Sequence, residues 1–125
     1  MTALQRRSVV HLLAPITELH LGDCIGADTE AYADAKVLGL RLIGHPPIAI
    51  ERRSFLHYEL EYAPRPFLVR NREIVDEAPD GLIAAPFGMV EELRAGTWAT
   101  VRYARKVGRR LWLVLPDGSV KIERG

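Results

Sequence analysis

The sequence predicts an α/β fold in which a mainly parallel sheet carries helices on both faces. Short apolar runs alternate with helical patterns of about 10–15 residues, the rhythm of βαβ units. The apolar runs are nearly continuous rather than alternating, as in strands covered on both sides, and LWLVL at 111–115 is the strongest of them. At 125 residues the chain reads as one domain, 1–125, long enough to bury a core.

Each element has a local reason. Thr2 and Gln5 have the T-x-x-Q spacing of a capping box, in which each side chain satisfies a backbone N–H left free at a helix start. Leu4, Val9, Leu12 and Leu13 then share a face, and Pro15 stops the helix. Ile16 to Leu21 reads as a strand ended by Gly22. The Ala-rich stretch from Asp28 to Leu38 is a helix, with Asp28 as its N-cap and Gly39 as its stop. Leu40 to Gly44 forms a strand before His45-Pro46-Pro47. The charged and aromatic segment from Pro47 to Pro66 breaks the rhythm as a connecting helix with a loop, or as a surface flap. Arg70 to Ala78 is the next helix and Gly81 to Ala85 the next strand, closed by Pro86. Thr97 to Val107 is helical up to Gly108, Leu111 to Leu115 is a strand, and Ser119 to Glu123 is a last short one.

Composition narrows the function classes. With 17 Lys+Arg against 16 Asp+Glu the formal charge is +1, so non-specific attraction to phosphate backbones is not the expected main role. A hydrophobic fraction of 48% with 26% charged residues is that of a folded globular chain rather than a disordered one. No apolar run approaches the ~20 residues that cross a bilayer, and the start does not resemble a signal peptide, so no membrane partner and a cytoplasmic location are expected. A lone cysteine, Cys24, excludes an internal disulfide and a thiol-rich zinc site, and the histidines at 11, 20, 45 and 57 lack metal-ligand spacing. No cofactor is expected.

Three strand–loop–helix junctions carry residues suited to chemistry, because ligands in open α/β sheets collect at the carboxyl ends of strands. In the first, Gly22-Asp23-Cys24-Ile25-Gly26-Ala27-Asp28, glycines permit close backbone approach and a helix start offers N–H groups with partial positive charge. The alternative is a tight turn with Asp28 as a plain cap. In the second, Arg70 and Arg72 flank Asn71; an arginine grips phosphate or carboxylate bidentately and asparagine reads a base or ribose edge, unless Glu73 and Asp76 simply pair with the arginines. In the third, Gly96-Thr97 opens a helix with successive N–H groups and a hydroxyl, an anion seat or merely a capped start. The basic residues Arg102, Arg105, Lys106, Arg109 and Arg110 suit a helix C-terminus through its dipole.

The series GDCIGAD, GHPP, RPFLVRNREIVDEAPDGLIAAP and RAGTWATVRYARKVGRRLWLVLPDG resembles the SLOG superfamily of Rossmann-like proteins. Its small stand-alone members related to YspA and YpsA are the nearest likeness; Smf/DprA proteins and Lonely Guy enzymes are relatives. The resemblance runs from about Thr2 to Gly118. It implies a Rossmann-like sheet and a nucleotide or nucleotide-derived ligand held by Gly22, Asp23, Cys24, Gly26, Ala27 and Asp28, by Arg70, Asn71 and Arg72, and by Pro86, Gly96 and Thr97.

Two departures qualify it. The PGGxGTxxE pattern of Lonely Guy enzymes supplies a catalytic Glu where this chain has Thr100, with Arg94 and Ala95 in place of glycines. Superfamily members also open with a strand and a Gly-containing loop, for which the capping box at Thr2 leaves no room. The fold expected is therefore a Rossmann-like one without its usual first strand, with the gap closed by its neighbours, filled by an upstream segment, or filled by a partner, for instance in a homodimer.

The leading expectation is a domain that senses or sequesters a phosphorylated nucleotide-like ligand. An N-glycosidase acting on a nucleoside phosphate is the runner-up, with Asp23, Glu91 or Glu92 as general acid or base. Single-stranded DNA binding, as in the Smf/DprA proteins, through residues 102–110, Trp98 and Tyr103 is third.

Overall fold

The computed structural model describes residues 1–78, 80–93 and 96–124. The first helix, α1 (Ala3–Leu13), has both bonds of its capping box: Thr2 Oγ1 accepts from the Gln5 N–H at 3.0 Å, and Gln5 Oε1 accepts from the Thr2 N–H at 3.1 Å. Its buried stripe is Gln5, Val9 and Leu13, and Leu4 is exposed, contrary to the expected face. The shift has a polar cause. Gln5 Nε2 donates to the carbonyls of Pro86 (2.8 Å) and Val114 (2.9 Å), so its amide is buried without an unmet donor.

Strand β1 (Glu18–Leu21) leads to α2 (Ala27–Leu38) and β2 (Arg41–Gly44). Helix α2 is capped by Gly26 at φ 109°, not by Asp28, and it stops at Gly39 in the left-handed conformation at φ 77°. Between Pro47 and Pro66 the chain is a loop with one 3-10 turn, Ile50–Arg52, and a two-residue strand, β3 (Leu60–Glu61), that pairs with β2. Helix α3 (Phe67–Glu77) begins three residues before the expected Arg70, directly after Pro66. Strand β4 (Leu82–Ala84), helix α4 (Gly96–Lys106), strand β5 (Leu111–Val114) and strand β6 (Val120–Glu123) complete the chain.

The fold is α/β, but the strands form two three-stranded sheets instead of one: β1-β2-β3, all parallel, and β4-β5-β6, in which β4 and β5 are parallel and β6 antiparallel. Among the described residues no strand pairs with the outer edge of β1 or of β4, and that is what divides the sheet.

One core nevertheless joins the halves. The pleat sends Ala84, Leu111 and Leu113 to the α4 side, against Trp98 and Val101. Their alternates Ile83, Ala85 and Val114 face Val9 and Leu13 of α1, where Leu21, Leu42 and Ala35 from the first sheet and α2 complete the cluster. Deleting a large side chain there costs ~2–5 kcal/mol, so this packing outweighs any single hydrogen bond between the sheets.

The start of α1 also fixes direction. Thr2 Oγ1 donates to the Pro116 carbonyl (2.6 Å) just past β5, Gln5 reaches Pro86 just past β4, and the Met1 ammonium meets Glu30 (2.6 Å) in the first turn of α2. The ends of β1, β4 and β5 therefore share one rim. Among the described residues no helix is long and apolar enough to cross a membrane.

Candidate functional site

The divided sheet leaves a cavity of about 790 Å³ between β1 and β4. Its rim is formed by the strand ends and the helix starts that follow them: Gly22, Cys24, Ala27 and Asp28 after β1, Arg70 and Asn71 from α3, and Gly96 and Thr97 opening α4. All three junctions singled out in the sequence thus border one hollow. Asp23, Gly26, Arg72 and Pro86 do not line it.

Arg70 is built in rather than free. Its buried guanidinium donates through Nη1 to the carbonyls of Gly22 and His45 (3.3 Å for the latter), and through Nε to Asn71 Oδ1 at 2.8 Å. Gly22 is required there: a Cβ would stand 2.8 Å from Arg70 Cζ and 3.0 Å from Asp28 Oδ2. Cys24 Sγ lies 3.6 Å from Nη1 and 3.7 Å from Nη2 of the same guanidinium.

Asp28 folds back instead of capping α2. Its Oδ2 accepts from the Cys24 N–H at 3.1 Å, so the anion seat of the first junction already holds one carboxyl group. Burial pushes the pKa of that group up, opposed by the N–H bond from Cys24 and by the Arg70 charge. The N–H groups of Ala27, Asp28 and Thr29 have no acceptor among the described residues. They are the usual unmet donors of a helix start. Across the rim, Thr100 Oγ1 donates back to the Gly96 carbonyl at 3.0 Å, and Thr97 is exposed to the hollow.

The remaining sequence candidates sit elsewhere. Asp23 is fully buried at φ 55° and serves the fold: Oδ2 accepts from Arg53 Nε (2.8 Å), and Oδ1 from the Leu56 N–H (3.1 Å) and the Tyr58 hydroxyl (3.0 Å). Burial and the Asp23 charge hold the Tyr58 phenol far above its ordinary pKa. Glu91 bridges Arg102 and Arg105, both at 3.1 Å, and those guanidiniums pull its pKa down. Glu92 is exposed and, like Glu91, lies off the cavity. Arg72 lies over the Tyr103 ring, 5.3 Å from its centroid. The buried Pro86 supplies only its carbonyl, to Gln5. Arg94 and Ala95 lie outside the described residues.

Sequence reasoning missed Phe67, Leu68, Ile74 and Thr100 in the cavity wall. Phe67, Arg70, Asn71, Ile74 and Ala78 recur at helical spacing on one face, a signal lost by starting α3 at Arg70. A second unforeseen feature is a chain of titratable groups reaching from the cavity to α3. Glu18 Oε1 meets His20 Nε2 at 2.9 Å, His20 Nδ1 meets His45 Nε2 at 2.7 Å, and His45 Nδ1 meets Glu73 Oε1 at 2.7 Å. Burial lowers the pKa of His45, and the bond to Glu73 opposes the shift.

No family model matches the chain, and neither a curated protein nor a solved structure matches it.

Proposed function

We propose that the protein binds a phosphorylated nucleotide or nucleotide-derived ligand at the rim of the divided sheet, and acts by sensing or sequestering it. The observation that carries this reading is the convergence of the Gly22–Asp28, Arg70–Asn71 and Gly96–Thr97 junctions on one cavity. Phosphate oxygens would take the free N–H groups of the first turn of α2, with the helix dipole adding attraction. Asn71 keeps its amide NH₂ for a base or ribose edge, since its carbonyl oxygen already accepts from Arg70. Arg70 acts through position and charge. The likeness to SLOG proteins and the Rossmann-like arrangement belong to this proposal.

Binding fits better than N-glycoside cleavage, because Asp23, Glu91 and Glu92 are engaged in ion pairs or lie away from the hollow. The test is a thermal-shift panel of nucleoside mono-, di- and cyclic phosphates. A true ligand at ~100 times its Kd adds ~2.7 kcal/mol of stability. Thr97→Glu, which sets a carboxylate in the rim, abolishes that gain. No shift with any member at saturating concentration refutes the reading.

A further inference from the structure

We propose that the gap between β1 and β4 is a strand-acceptor slot, which takes an extended apolar segment of a partner polypeptide parallel to both edges and joins the two sheets into one. The inference concerns the body of the cavity below the rim and stands whether or not the rim holds a nucleotide.

Main-chain geometry defines the occupant. The carbonyls of Thr17 and Leu21 accept from the β2 side, from the N–H groups of Arg41 and His45. Alternation along the strand therefore turns the N–H and C=O of Glu18 and His20 into the gap. On the other edge the Leu82 N–H donates to the Arg110 carbonyl, so the groups of Ile83 and Ala85 face the gap. None of these groups has a backbone partner among the described residues. Two facing rows of donors and acceptors, running in the same direction, match the repeat of a polypeptide main chain. No compact small molecule repeats donors and acceptors at that spacing.

The walls define its side chains. Val9 and Leu13 of α1 line the slot on one side and Phe67 and Ile74 of α3 line it as well. A strand covered on both faces is apolar at every position. Glu77 and Asp80 line the end where β4 begins, beside Glu18, whose carboxylate already meets His20 and Arg41, so the entering segment carries a basic residue at its amino end. The flanking strands have four and three residues, which sets the length at about five, or ~17 Å at ~3.3 Å per residue.

The test uses the full chain and a labelled peptide, acetyl-Lys-Val-Ile-Val-Val-amide, read by fluorescence anisotropy and by amide hydrogen exchange. Saturable binding is expected, with at least tenfold slower exchange at His20 and Ala85. Methylating alternate peptide nitrogens, or replacing the lysine by aspartate, weakens binding at least tenfold. As a second measurement, the same strand fused through a glycine linker ahead of Met1 protects the same amides and abolishes binding of free peptide. Equal binding of the N-methylated peptide overturns the proposal, as does protection confined to other segments. Protection in the fused chain without binding of the free peptide assigns the slot to a covalently connected strand and overturns the partner. A dimer in light scattering that already protects these amides without peptide assigns it to a second copy, with the same effect.

Discussion

Replacing Arg70 by methionine isolates what holds the rim together. The guanidinium ties α3 to the ends of β1 and β2 through the carbonyls of Gly22 and His45. Methionine keeps most of the volume and removes every donor. Each buried carbonyl left unmet costs ~1–3 kcal/mol, so the pair costs ~2–4 kcal/mol once partial access of water to the cavity is counted. Against the ~5–15 kcal/mol typical of a domain that loss is large. The variant also removes the positive charge beside Asp28, so the pKa of that carboxyl rises further. Urea unfolding followed by circular dichroism reads the loss as a lower midpoint at unchanged slope. Arg70→Lys recovers only part of it, because one ammonium on a shorter reach cannot serve both carbonyls and Asn71. A loss below ~0.5 kcal/mol with the fold intact refutes the clasp, since no buried carbonyl would then have been deprived.

Other outcomes follow from single contacts. The folded pKa of His45 lies below its ordinary 6.5, so the unfolded chain binds more protons in the window just under that value. Melting temperature therefore falls as pH drops through 6.5 toward the folded value. His45→Gln flattens the profile, while an unchanged slope in that variant assigns the effect to another group. Asp23→Asn removes the nearer and fully buried of the two carboxylates that Arg53 meets, leaving it Glu61 alone, and destabilises by ~3 kcal/mol in chemical denaturation. Gly44→Ala places a methyl 2.7 Å from Tyr58 Cγ, and the forced shift of the ring costs ~1–3 kcal/mol with a changed near-ultraviolet spectrum. Thr2→Ala removes the capping box and the bond to Pro116 and costs ~1 kcal/mol, read from the same unfolding curves.

What was legible in the sequence was local. The Thr2–Gln5 box, the glycine stop at 39 and the LWLVL strand each follow from interactions within a few residues, and each element forms where its signal stands. What was not legible depends on distant partners. Asp28 has the position of a cap, but Cys24 offers its N–H and Arg70 sits behind it, so the side chain turns inward. Asp23 reads as a loop carboxylate, and residues 53–58 return to bury it. Strand patterns name strands without naming neighbours, so the division of the sheet was invisible until pairing was seen.

The position of α1 bears on the order in which the chain acquires its structure. Its first turns hold onto Glu30 and Asp34, but also onto Pro86, Val114, Pro116 and, through the Ser8 hydroxyl, the Gly118 carbonyl. Contacts separated by ~100 residues form late, because a long loop must close before they repay its entropy. During synthesis this helix waits for its seat until residue 118 has left the ribosome. Until then its apolar stripe lacks its native cover and is open to wrong partners.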